Sequence, residues 1–188
     1  MVSAGGSDEA CMTYSIGFRA PARQELASAL LNRLADRAQD ELGDLAPMLY
    51  RDPSQAATHA PAAVPPALLD FAGRAVQRAL RDPRALACAL GEYLSEPKAS
   101  VWFDASPDCL VEGRGVRLHS RSRMLYDADH VFINGEGFVA RGPDARLMRQ
   151  LADERRLAPG SVNRLSQGAR QCLEQWLADG WLEPDDSA

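Results

Sequence analysis

The feature that most constrains the fold is a strand pattern near the start of the chain that leads directly into a helix. Apolar and polar residues alternate from Met12 to Gly17, which is the period of a strand with two different faces. Pro21 follows at a position suited to the first turn of a helix. Residues 2–9 have the composition of a loop and offer no pairing strand. The sheet which this strand completes is therefore not obviously encoded in this chain.

The run Thr13-Tyr-Ser-Ile-Gly-Phe-Arg-Ala-Pro21, followed by a helix with Arg, Glu and Leu, resembles a junction in bacterial ribosomal oxygenases of the cupin (JmjC) type. The order of the later elements and Val131-Phe-Ile-Asn-Gly135 extend the resemblance to most of the chain. It implies an α+β chain in three parts. Residues 1–20 would be a remnant of the last strand of the cupin double-stranded β-helix, residues 21–98 a helical dimerisation region, and residues 99–188 a winged-helix-like domain.

The resemblance also implies an activity and a pair of site residues. Family members are iron(II)- and 2-oxoglutarate-dependent dioxygenases that hydroxylate an arginine of a large-subunit ribosomal protein. In the family, a polar side chain at the position of Thr13 faces the iron and 2-oxoglutarate pocket, and Ser15 projects from the same face, so both are implied as cofactor-binding residues. The alternative is that the two hydroxyls form local hydrogen bonds on an exposed strand edge. No catalytic residue is predicted within the chain.

The histidines do not match the family's metal site. The family holds iron with a His-x-Asp pair and a distant His, but neither His59, His119 nor His130 is followed two residues later by Asp. His130 lies beside two Asp residues, a pattern that more often belongs to a surface turn than to a metal site. We expect no metal ligand and no cofactor in this chain alone. The iron ligands of the intact enzyme are expected upstream of residue 1. A mis-assigned start, a split gene and a real truncation would each produce such a chain.

Helical periodicity dominates the first half of the chain. A helix is predicted from Pro21 to about Leu42, another from about Pro66 to Arg81, and a third after Asp82-Pro83, which supply an N-cap and a first-turn proline. Two apolar stripes suggest a homodimer surface, although they would also suit a monomeric bundle: Leu26, Leu30 and Leu34, and Leu86, Leu90 and Leu94.

The second half predicts a small sheet and two further helices. Short strands are expected at 101–103, 116–119, 123–126, 130–133 and 137–139, with a hairpin turn at Asn134-Gly135. Helices are expected from Asp144 to about Arg156 and from Ser166 to Asp179, with Gly180 ending the last.

Composition limits the alternatives. The formal net charge of −5 disfavours nucleic acid and suits a basic protein partner, such as the ribosomal protein that the resemblance implies. No apolar run is long enough to cross a membrane, and the four cysteines form no C-x-x-C pair, so a cytoplasmic location is expected. Two alternatives to the oxygenase fragment stay open: a non-enzymatic dimerisation or ribosomal-protein-binding module, and a winged-helix DNA-binding regulator.

Overall fold

The computed structural model describes residues 20–42, 48–53, 59–60 and 62–185. The helices in these ranges are α1 (Arg23–Leu42), α2 (Pro66–Ala79), α3 (Pro83–Ser95), α4 (Gly142–Glu154), α5 (Pro159–Val162) and α6 (Gln167–Ala178). The strands are β1 (Gly115–Leu118), β2 (Met124–Tyr126), β3 (His130–Ile133), β4 (Glu136–Val139), β5 (Arg156–Leu157) and β6 (Leu182–Asp185). The predicted N-terminal strand lies outside the described residues.

Local signals set the ends of several helices, as predicted. The Asp82 carboxylate accepts a hydrogen bond from the N–H of Arg84, and Pro83 occupies the first turn of α3. The Ser166 hydroxyl caps α6 by accepting from the N–H of Ala169. Gly180 ends α6 with a φ of 70°, a backbone conformation that favours glycine.

The sheet β2-β3-β4 is an antiparallel meander. Its second turn is the predicted one: Asn134 and Gly135 have φ values of 49° and 95°, and Ile133 pairs with Glu136 across them. Strand β3 is buried on both faces. Val131 and Ile133 belong to the main core, whereas Phe132 lies under α3.

The second sheet has the order β5-β1-β6, and all its pairs are antiparallel. Its middle strand, β1, comes first in the chain, and both of its partners come much later. Helices α4, α5 and α6 pack against the strands around one apolar core, which is the arrangement expected of a winged helix. Trp176 is the largest fully buried side chain of this core and meets Phe138 edge to face, with 5.2 Å between ring centroids.

Four elements differ from the sequence prediction. Residues 101–103 were expected to form a strand, but this prediction is wrong: no ladder forms there, and the segment is irregular. Strands β5 and β6 and the short helix α5 were not predicted. Both missed strands consist of few residues and depend on distant β1 for their hydrogen bonds, so alternation within them carries little signal.

Candidate functional site

The two implied cofactor residues, Thr13 and Ser15, lie outside the described residues. Their role stays a prediction.

The histidines lie in different local settings. His119 Nε2 is 3.8 Å from the Glu183 carboxylate, and its ring meets Phe103 edge to face. His130 Nδ1 is 3.2 Å from the Asp127 carboxylate. Within the described ranges, no group of three or more His, Cys, Asp or Glu side chains is placed to hold a metal ion. These residues therefore do not fit the iron site that the family resemblance implies, and no catalytic step is assigned to them.

The Asp127 carboxylate serves the turn between β2 and β3. It accepts hydrogen bonds from the backbone N–H groups of Asp129 and His130, both at 2.7 Å. Partial burial opposes ionisation of Asp127, but these two bonds and the neighbouring imidazole outweigh it and lower its pKa. The cluster that the sequence suggested as a weak metal pattern is thus a turn stabilised by one carboxylate.

Helix α2 carries an apolar surface that the described residues do not cover. It has no buried residue. Leu69, Val76 and Leu80 are spaced to share one side of the helix and form what we call the outer stripe; Leu69 is 69% exposed and Val76 is 60% exposed. Asp70, Arg74, Gln77 and Arg81 follow the polar side. A helix of this kind commonly gains its stability by packing against another surface.

One of the two predicted dimer stripes is used inside the chain. Leu34 on α1 is only 5% exposed, and α1 packs on α3. Beside it, Arg33 forms a 2.7 Å ion pair with Glu96 just after α3. Among the described residues of the helical region, the exposed large apolar side chains outside the predicted Leu26-Leu30-Leu34 line include several on or at the end of α2: Leu68, Leu69, Val76 and Leu80, besides Leu31, Met48, Leu49, Val64 and Leu86.

A polar cluster joins α1 to α3. The Arg37 guanidinium donates hydrogen bonds to the Glu92 carboxylate and to Cys88 Sγ. Burial and the Glu92 charge raise the pKa of the Cys88 thiol more than Arg37 lowers it. The thiol therefore stays protonated near neutral pH, and Cys88 is a packing and hydrogen-bonding residue rather than a nucleophile.

Helix α3 connects the helical region to the sheet. Gly91 lies against the ring of Phe132 on β3, and the Ser95 hydroxyl accepts a hydrogen bond from the N–H of Gly135 at the β3–β4 turn. This close approach leaves no space for a side chain at residue 91. The helices and the sheet therefore share one packed junction.

The surface at this junction contains a residue that the sequence analysis did not recognise. Trp102 is 69% exposed and lies beside α3 and the β3–β4 turn. Its neighbours Val101 and Phe103 are both less exposed. The sequence pattern at residues 101–103 predicts a strand. In the structure the segment is irregular, but its exposure still alternates and leaves the Trp102 indole facing solvent.

The exposed side of α6, where a winged helix commonly meets DNA, has mixed charge. The helix carries Arg170 and Glu174, and Asp179 caps its C-terminal end, while Arg164 precedes the helix and donates to the hydroxyl of Ser161. No basic stripe runs along α6. Along the described ranges, no helix is both long and apolar enough to cross a membrane.

Comparisons with known proteins give a consistent fold. A family model described as a ROXA-like winged helix matches residues 77–183. A solved structure of Escherichia coli YcfD superposes with a TM-score of 0.65 at 21% identity, covering 90% of this chain and 46% of that one. YcfD is described as a ribosomal oxygenase, and further structures hold cobalt with succinic acid (TM-score 0.65) or cobalt with 2-oxoglutarate (TM-score 0.66), each at 21% identity with 90% of this chain and 48% of that chain covered.

This likeness shows the fold. The chain spans about half the length of these solved structures. No curated protein matches the sequence. The predicted combination of helices and strands with a winged-helix domain is confirmed.

Proposed function

The chain belongs to the ROXA-like winged-helix family, and from that membership we propose that it is the C-terminal, non-catalytic part of an iron(II)- and 2-oxoglutarate-dependent ribosomal oxygenase. The family match over residues 77–183 is the observation that carries this proposal. The fold likeness to E. coli YcfD over 90% of the chain supports it. The substrate of the intact enzyme is an arginine side chain of a large-subunit ribosomal protein.

In this proposal the chain has a structural role in the enzyme. The iron would activate oxygen in the catalytic part of the enzyme, upstream of the described residues. In this role the chain would supply the predicted strand with Thr13 and Ser15 at the edge of the cofactor pocket and a self-associating helical region, in addition to its winged-helix domain. These elements would position the protein substrate relative to the catalytic part of the enzyme.

The genomic DNA upstream of Met1 tests this proposal. We expect that reading, either in frame or in an adjacent gene, to encode a His-x-Asp pair and a later His at the end of a cupin domain. If the upstream DNA encodes neither, the oxygenase proposal fails. The non-enzymatic binding module then becomes the better explanation, because the described residues hold no metal-binding group.

The purified chain should be inactive by itself. We expect no specific iron(II) binding and no succinate formation from 2-oxoglutarate, because the described residues lack the three ligands that such a site needs. Metal titration and a succinate assay measure this, with E. coli YcfD as the positive control. Stoichiometric iron binding at micromolar affinity, or turnover by the isolated chain, would contradict the prediction.

We further propose that the helical region forms a homodimer through the outer stripe of α2. Large apolar side chains exposed along one side of a helix favour association with a complementary surface. A two-fold dimer would bring the outer stripes of two copies together and bury Leu69, Val76 and Leu80. The weak packing of α2 within its own chain supports this arrangement, since α2 contacts mainly α1 and the ring of Tyr50.

Two substitutions on α2 test the dimer. Leu69→Asp is expected to weaken self-association roughly 100-fold or more, because burying an unpaired carboxylate costs at least about 3 kcal/mol. Gln77→Asp adds the same charge on the polar side of the same helix and is expected to leave association unchanged. Sedimentation equilibrium measures both. A wild-type monomer at tens of micromolar, or equal dissociation constants for the two variants, would refute this interface.

A further inference from the structure

The turn between β3 and β4 contains the only Asn-Gly pair of the sequence, Asn134-Gly135. The other two asparagines, Asn32 and Asn163, each precede an arginine. In an unfolded chain, asparagine deamidates fastest when glycine follows it, because glycine has no side chain to hinder attack by its own backbone nitrogen. The sequence therefore places one chemically labile pair at the turn that α3 contacts.

Deamidation at this pair needs no enzyme and no reagent other than water. The backbone nitrogen of Gly135 attacks the side-chain carbon Cγ of Asn134, so that a new N–Cγ bond forms and the Cγ–Nδ2 bond breaks. The side-chain nitrogen leaves as ammonia and takes up the proton of the Gly135 N–H. Water then opens the resulting succinimide ring at one of its two carbonyls, which gives aspartate or isoaspartate.

The nucleophile of this reaction is held by α3. The N–H of Gly135 donates a 3.1 Å hydrogen bond to the hydroxyl of Ser95, which is completely buried near the end of α3. That hydroxyl in turn donates to the backbone carbonyl of Glu92, which fixes its orientation. The Gly135 nitrogen can therefore lose its proton to solvent only when the turn separates from α3.

The side chain of Asn134 is held by two further hydrogen bonds. Its carbonyl oxygen accepts from the backbone N–H of Arg123 at 3.0 Å, and its NH2 group donates to the Ser122 hydroxyl at 3.2 Å. Ser122 is buried and donates to the carbonyl of Trp181, just beyond α6. Attack on Cγ turns the planar amide into a tetrahedral centre and expels its nitrogen, so both bonds of Asn134 must break.

We propose that Asn134 is a latent deamidation site, which the packed junction protects and which separation of α3 from the β3–β4 turn exposes. Three hydrogen bonds must open together, and each is worth roughly a factor of five, so the fold should slow the reaction about 100-fold relative to the unfolded chain. This chemistry does not depend on the oxygenase assignment.

The product cannot restore the junction. A carboxylate at residue 134 has no N–H to donate to the Ser122 hydroxyl. Isoaspartate also adds an atom to the main chain, which a two-residue hairpin turn cannot accommodate without changing its geometry. Opening of the junction followed by deamidation therefore loosens α3 irreversibly.

Peptide mapping by mass spectrometry tests this proposal on the purified chain. The exchange of an amide for an acid at Asn134 is followed during incubation at mildly alkaline pH, with and without guanidinium chloride. We expect Asn134 to react about 100-fold more slowly in the native chain than in denaturant. Asn32 and Asn163 are expected to stay intact while Asn134 of the denatured chain reacts. Equal rates with and without denaturant would refute the protection, and an unreactive Asn134 in denaturant would refute the site itself.

Serine variants locate the protection. Ser95→Ala removes the acceptor of the Gly135 N–H and is expected to speed native-state deamidation of Asn134 about fivefold. Ser122→Ala removes the acceptor of the Asn134 amide, and a similar acceleration is expected. Ser161→Ala is the matched control with the wild-type rate, since it removes a buried hydroxyl that accepts from an arginine side chain instead. If Ser161→Ala speeds the reaction as much as Ser95→Ala, general unfolding exposes the site and the proposed local opening is wrong.

The consequence for the junction is measured on the wild-type chain, so this test does not depend on whether a variant folds. Ion exchange separates the deamidated form, which carries an additional negative charge. The alkylation rate of the buried Cys88 thiol then reports the packing of α3. We expect the isoaspartate form to react faster at Cys88 than the intact form. Equal alkylation rates would refute the irreversible loosening of α3.

Discussion

Replacing Gly180 by alanine is expected to lower the free energy of unfolding by about 3 kcal/mol or more. Gly180 has a φ of 70°, where a side chain costs roughly 1–2 kcal/mol. A Cβ at this position would also overlap the backbone carbonyl oxygen of Asp104, and such overpacking adds roughly 1–3 kcal/mol. For a chain of this size the midpoint of thermal unfolding should fall by roughly 6–12 °C.

The cause of this effect lies in how α6 ends. The N–H of Gly180 donates to the carbonyl of Leu177, and the N–H of Trp181 donates to the carbonyl of Trp176, which together close the helix. The N–H of Ser106 binds the carbonyl of Ala178. The segment after Trp102 is thus fastened to the end of α6, and a side chain at residue 180 would push it away.

Gly142 is the matched control for this prediction. Its φ is 62°, but no atom lies within 4 Å of the position of a Cβ. Gly142→Ala should therefore cost only about 1 kcal/mol, from backbone strain alone. Thermal and denaturant unfolding of the two variants separate strain from overlap. Equal losses would show that the contact with Asp104 contributes nothing.

Replacing Gly91 by alanine is expected to destabilise the junction between α3 and the sheet by about 2 kcal/mol or more. In an open helix this change would gain about 1 kcal/mol. Here the Cβ would overlap the ring of Phe132, which is buried and cannot move aside freely. Helix α3 must then shift away from β3.

Two measurements report this shift of α3. Unfolding gives the free energy, and the rate at which the buried Cys88 thiol reacts with an alkylating reagent reports whether α3 has loosened. Gly73→Ala is the control: nothing lies within 4 Å of its Cβ position on α2, so it should stabilise or have no effect. In the Gly91→Ala background, Phe132→Leu should cost less than it does alone. If Gly91→Ala is neutral and Cys88 stays protected, α3 does not pack as described.

The helices were largely predictable because their determinants are local. The apolar spacing of α1 and α2, the Asp82 and Ser166 caps and the stop at Gly180 all depend on residues within a few positions of one another. The turn at Asn134-Gly135 was predictable for the same reason. Each of these signals can be read before any distant contact is known.

The strands around β1 were predictable only in part. Residues 101–103 have a strand-like alternation but no partner strand, whereas β5 and β6 have little alternation and pair well. A strand exists when another strand supplies its hydrogen bonds, and both partners of β1 come much later in the chain. Short sequence windows contain no information about that pairing.

The features of the candidate site also fall into two groups: those that the sequence predicts and those that only tertiary packing determines. The sequence alone supplied the family resemblance, the acidic charge and the amphipathic helices. Tertiary packing decided which apolar residues stay exposed: it buried Leu34 between α1 and α3 and left the outer stripe of α2 uncovered. Packing also brought Trp102 and Glu136 to one groove, although 34 positions separate them in sequence. Local pattern sets which side of a helix is apolar, but only the full set of contacts determines whether that side lies in the core or on the surface.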